Sequence, residues 1–111
     1  MRRLEQKKLL TIITGRELEN TIIETARRRG VGGYTVVQAS GAGASGIQSG
    51  MLDIDANILI YIILSEPRLI TLLDDLEDLM RRGYRLKAIV SDIAILPRKA
   101  AGDAKPIDLN R

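Results

Sequence analysis

Cysteine, histidine, phenylalanine and tryptophan are all absent from this 111-residue chain. Without thiols there can be no disulfide, no thiolate nucleophile and no zinc–cysteine site. Without imidazole the usual general base and the commonest metal ligand are both missing. The three aromatic residues, Tyr34, Tyr61 and Tyr84, are too few for the stacking platforms by which a sheet reads single-stranded RNA. A nucleophile–base pair could be built only from Ser or Thr with Lys. The expectation is therefore a protein that is not an enzyme and binds no nucleic acid. No apolar run approaches the roughly 18 residues of a spanning helix. Residues 1–8 are too charged, and 9–14 too short, for a signal peptide, so the expected location is the cytoplasm.

What remains is an ordinary globular composition. Hydrophobic residues make up 45% and charged residues 28%, the balance of a soluble domain with a real core. A chain of this length forms one domain and buries about two-thirds of its unfolded surface. The formal charge of +3 is too mild to indicate a polyanionic partner by itself.

The most unusual stretch runs from Gly33 to Ile54. A β-branched run (GYTVV) passes into a Gly/Ala/Ser loop, GAGASGIQSG, and then into MLDI. The loop, about residues 40–56, shows neither helical nor alternating spacing, and an irregular connection of that length in a small domain is usually functional or disordered. No Lys or Arg occurs between Val31 and Pro67. An anion held here would rest on backbone N–H groups, with positive charge brought from elsewhere. Gly41, Gly43 and Gly46 fit G-x-G-x-x-G, but the dinucleotide fingerprint needs a helix N-terminus after the glycines. IQSGMLDIDAN has no helical spacing, so that reading fails.

In chain order, residues 1–7 read as a mobile charged lead. Leu9–Ile13 is strand one. Thr14 and Glu17 have capping-box spacing before a first helix through RELENTIIETARRR. Leu18, Ile22 and Ala26 share one face of that helix. Arg27, Arg28 and Arg29 complement its dipole, and Gly30 ends it. Tyr34–Val37 is strand two and Asn57–Leu64 strand three. Ser65 caps a second helix with Pro67 in its first turn. Leu69, Leu72, Leu73, Leu76, Leu79 and Met80 form its apolar stripe, with Asp74, Asp75, Glu77 and Asp78 facing solvent. Gly83 follows Arg81 and Arg82, Leu86–Leu96 is strand four, and residues 100–111 are an irregular tail.

The two halves repeat a pattern: RRRGVGGYTVV against RRGYRLKAIV. A doubled β-α-β is the ferredoxin-like β-α-β-β-α-β fold, an α+β arrangement whose helices cover one face of an antiparallel sheet. Strand three is apolar on both faces: Ile58, Ile60, Ile62 and Leu64 on one, Leu59, Tyr61 and Ile63 on the other. A half-exposed strand should alternate. The second face therefore needs a cover, and a homo-oligomer packed through the sheet is expected.

GYTVV, the glycine loop after it, DIDAN before strand three, and RRGYRLKAIV together resemble the PII signalling superfamily. The likeness spans about residues 8–99 and is nearest to the PII-like proteins of inorganic-carbon uptake, the SbtB and carboxysome-associated types. It implies a trimer with adenine-nucleotide clefts between subunits and a partner-reading T-loop at about 40–56. By resemblance, Thr35, Val36 and Val37 line the adenine and ribose region. Gly41, Ala42 and Gly43 offer bare backbone to phosphates, as glycine N–H groups can. Gly83, Tyr84, Arg85 and Lys87 form the B-loop wall, and Arg98 or Lys99 comes from the next subunit. Ile13 and Ile63 form an apolar floor.

Related loops usually carry Arg or Lys near the phosphates, whereas Ala44 and its neighbours are neutral. That favours AMP, ADP or cyclic AMP over ATP, with bicarbonate as a further ligand. The cysteine-bearing extension of some SbtB proteins is missing, and the loop has no tyrosine to uridylylate. The resemblance thus implies a nucleotide sensor whose loop selects a membrane transporter or other partner. The alternative is a trimeric ferredoxin-like protein holding a metal or another small ligand through Asp53 and Asp55.

Overall fold

A computed structural model describes residues 3–39 and 57–98. Four strands form one antiparallel sheet: β1 (Glu5–Gly15), β2 (Thr35–Ala39), β3 (Asn57–Leu64) and β4 (Leu86–Ile95), in spatial order β2-β3-β1-β4. Two helices, α1 (Glu19–Arg28) and α2 (Glu66–Arg81), connect β1 to β2 and β3 to β4. This is the ferredoxin-like arrangement expected from the repeat.

Alternation along the strands explains where the core lies. Leu10 and Ile12 of β1 and Ile58, Ile60, Ile62 and Leu64 of β3 are all buried. They meet Ile22, Ile23 and Ala26 of α1 and Leu69, Leu72, Leu76 and Leu79 of α2 in a single cluster. Each leucine or isoleucine among them taken out of water contributes roughly 1.5–3 kcal/mol. The α2 stripe is narrower than the sequence suggests, because Met80 is 44% exposed and Leu73 only partly buried.

Both helices end in the same way. Gly30 and Gly83 have φ of +84° and +100°, a conformation costly for a residue with a Cβ. In α1 the N–H groups of Gly30 and Val31 donate to the carbonyls of Arg27 and Ala26, at 3.0 and 3.1 Å. In α2 those of Gly83 and Tyr84 donate to Met80 and Leu79, at 3.0 and 3.1 Å. These paired bonds are Schellman motifs, which satisfy the last carbonyls of a helix.

The helix starts depart from expectation. Thr14 does not cap α1: it is the penultimate residue of β1, and a 3-10 turn (Arg16–Leu18) intervenes before the helix. Ser65 occupies the N-cap of α2 without a side-chain cap bond. Strand one is also longer than its apolar run, since Glu5, Gln6 and Lys7 pair with Ile95, Ala94 and Ile93. The ladder to β4 holds these polar residues, so the charged lead begins its strand four residues before Leu9.

Arg29 does more than complement a dipole. Its Nε and Nη2 donate to the two carboxylate oxygens of Asp75 on α2, at 2.6 and 2.8 Å. This bidentate fork ties the end of α1 to the middle of α2. It also holds the Asp75 carboxyl below the ordinary carboxylate value, chiefly by that hydrogen bond.

Candidate functional site

The strand register carries the site residues to defined places. On the face opposite the helices, Val37 of β2 lies across from Leu59 of β3, Leu59 across from Ile13 of β1, and Ile13 across from Lys87 of β4. This row of three apolar side chains ends in a cation. The next row on the same face is Thr35, Tyr61, Thr11 and Ile89. The face is largely apolar and no described helix covers it, with Ile63 49% and Ile89 43% exposed.

All the breaks at one end of the sheet meet here. Segment 40–56 leaves after Ala39 and returns at Asn57, and those two residues are paired. Gly15 closes β1 opposite the same Asn57. The turn holding Gly83, Tyr84 and Arg85 precedes β4 at this end, where Leu86 pairs with Thr14. Gly83, Tyr84, Arg85 and Lys87 are all exposed. Ile13, Lys87 and the 83–85 turn thus lie together at this end of the sheet, while Thr35 and Val37 lie at the opposite edge strand, three strand spacings or about 14 Å from Lys87.

Other expected site residues lie elsewhere. Val36 turns toward the helices and packs against the core, because strand alternation sends it opposite to Thr35 and Val37. Its side chain cannot line a cleft on the open face, although β2 is an edge strand and no described strand pairs with its outer side. Ile63 shares the open face with Ile13 but pairs with Leu9, four residues along β3 from Leu59. That places it about 13 Å from the Ile13 row, so the two do not form one floor within a chain. Arg98 is exposed and follows the far end of β4. It lies beyond Ile95, itself eight residues or about 26 Å of strand from Lys87. Gly41, Ala42, Gly43, Asp53, Asp55 and Lys99 lie outside the described residues. Among the described residues no cluster of acidic side chains could hold a metal ion.

Sequence reasoning misses one contact in this region. The Thr14 hydroxyl, which capping-box spacing assigns to the helix, donates instead to the Arg85 carbonyl at 2.8 Å. No sequence signal joins residues 71 positions apart. Only the pairing of Thr14 with Leu86 brings them together.

Four antiparallel strands with two helices on one face, and residues 40–56 between the second and third strands, define the class: a ferredoxin-like α+β domain with an open apolar face. The family model of Nitrogen regulatory protein P-II matches residues 7–98, and the chain belongs to that family. The crystal structure of the PII-like signalling protein TTHA0516 from Thermus thermophilus is 32% identical, with TM-score 0.70, covering 86% of this chain and 94% of that one. CPII from Thiomonas intermedia K12, bound to ADP and bicarbonate, is 28% identical with TM-score 0.75, covering 87% and 95%. A second CPII structure, bound to ADP, AMP and bicarbonate, is 26% identical with TM-score 0.74, covering 87% and 94%. No curated protein matches the chain.

Proposed function

We propose that this chain is a non-enzymatic signalling protein that acts as a homotrimer. It binds an adenine nucleotide in the clefts between subunits and controls a partner through the 40–56 loop. The carrying observation is the Val37–Leu59–Ile13–Lys87 row, an apolar surface that starts on β2 beside that loop and ends in a cation on β4, the opposite edge strand, so that a cleft between copies can bring the two edges together. An apolar wall suits the base and ribose, and fixed cations suit phosphate oxygens. The outer backbone of β2 beside Thr35, paired with no described strand, can read the adenine edge. Arg85 and Lys87 supply the charge that residues 31–67 lack, and Arg98 or Lys99 of a neighbouring copy adds more.

CPII, bound to ADP, AMP and bicarbonate, supports the same ligands here. A glycine loop without cations favours AMP, ADP or cyclic AMP over ATP, with bicarbonate as co-ligand. Binding then selects the ordered state of the loop, which engages or releases a transporter or other regulated protein. Inorganic-carbon metabolism is the setting that the sequence resemblance favours.

Titration calorimetry against AMP, ADP, ATP and cyclic AMP, with and without bicarbonate, tests the ligand. Heat with AMP or ADP, strengthened by bicarbonate, is the expected result. Silence toward all four removes the nucleotide assignment.

A further inference from the structure

Two polar side chains are buried among the described residues, Thr14 at 4% and Thr25 at 5% exposure. Thr25 donates to the Thr21 carbonyl one turn back in its own helix, at 2.7 Å, an ordinary local arrangement. Thr14 reaches a different segment of the chain, the Arg85 carbonyl. A buried hydroxyl joined to one backbone oxygen is costly to displace, because both groups would be left without a partner.

The place of this bond gives it a role. Thr14 projects to the helix side of the sheet, as do Leu10 and Ile12, which share its alternation. Its neighbour Ile13 faces the opposite way, across from Lys87. The 83–85 turn hangs between the Schellman bonds at Leu79 and the first β4 pair at Leu86. Within that span the Thr14 hydroxyl is the side-chain anchor of the Arg85 backbone. It grips the cation-bearing segment from behind, without touching the open face.

We propose that Thr14 is a positioning residue for nucleotide binding: its hydroxyl fixes the Arg85 backbone and thereby sets where Arg85 and Lys87 meet the ligand phosphates. This rests on the nucleotide-binding reading above. A mobile turn would have to be ordered at the moment of binding, and that ordering lowers affinity. The bond's own worth corresponds to about tenfold in affinity.

The test compares Thr14→Val, which keeps shape and removes the hydroxyl, with Thr14→Ser, which keeps the hydroxyl. ADP affinity is measured by calorimetry, and amide exchange is followed over the peptide spanning residues 83–89. The expected result is an ADP affinity about tenfold weaker in the valine variant, near wild type in the serine variant. Exchange over 83–89 rises in valine only, while the number of subunits in the assembly and the protection of β3 stay unchanged in both. A valine variant that binds ADP like the wild type, or serine that fails to rescue it, overturns the proposal. Wild-type protein that binds no ADP instead removes the nucleotide reading, and the positioning role falls with it.

Discussion

The two faces of one sheet behave as if drawn from different proteins. On the helix side, Ile58, Ile60, Ile62 and Leu64 of β3 are buried at 5% exposure or less. On the other side, Leu59 and Tyr61 are half-buried and Ile63 half-exposed, although these residues are just as apolar. The covered face is held by its own chain and makes the fold. Among the described residues no helix covers the open face. Pressure toward solubility would make such a strand alternate, so its failure to alternate points to a cover that the described helices do not supply.

That contrast can be broken from either side. Ile60→Ala on the covered face should cost roughly 2–5 kcal/mol of folding stability, read as a lower urea midpoint at unchanged slope. If Ile60→Ala were tolerated like a surface change, the assignment of the core would be wrong. Tyr61→Glu on the open face should do the reverse. It should reduce the assembly to a 12.2 kDa monomer in sedimentation while the circular dichroism of the fold persists. An intact assembly carrying that glutamate would show that the open face is not the seam between copies.

A smaller effect is expected at the end of the Ile13 row. Lys87→Ala should weaken ADP binding by roughly 10- to 100-fold, the range of a charge-assisted hydrogen bond, with thermal stability unchanged. Equal affinity for ADP in the variant would detach the cation from the site. The smallest effect lies between the helices, far from the open face. Asp75→Asn should lower the melting temperature modestly at neutral pH and leave ADP affinity alone. Because the folded Asp75 carboxyl lies below its ordinary value, the Arg29 contribution is present above about pH 4 and fades as pH falls through the depressed folded value. A wild-type minus variant difference that grows toward low pH would contradict this sign.

The covered face is readable in the sequence because burial repeats every second residue in a strand and every third or fourth in a helix. Strand three has the bounds its apolar run predicts, and both helix stops follow from Gly30 and Gly83, where a positive φ excludes most other residues. Contacts between distant segments stay hidden. Thr14 resembles a cap because Ser/Thr three residues before Glu is a local signal, but its partner Arg85 is set by the β1–β4 ladder. Asp75 looks solvated among Asp74, Glu77 and Asp78, yet its partner Arg29 lies 46 residues away. The GYTVV motif groups Val36 with Thr35 and Val37, and strand alternation separates them. Within the candidate site, the register makes Ile13 and Lys87 cross-strand neighbours and puts Thr35 and Val37 on the same face at the opposite edge strand, while the glycine loop lies outside the described residues.

Native mass spectrometry of the whole chain with ADP and bicarbonate addresses the open face and the site together. The account predicts a species of three times the 12.2 kDa chain mass carrying up to three ADP molecules. A monomer at micromolar concentration, or a trimer that takes up no adenine nucleotide, would contradict it.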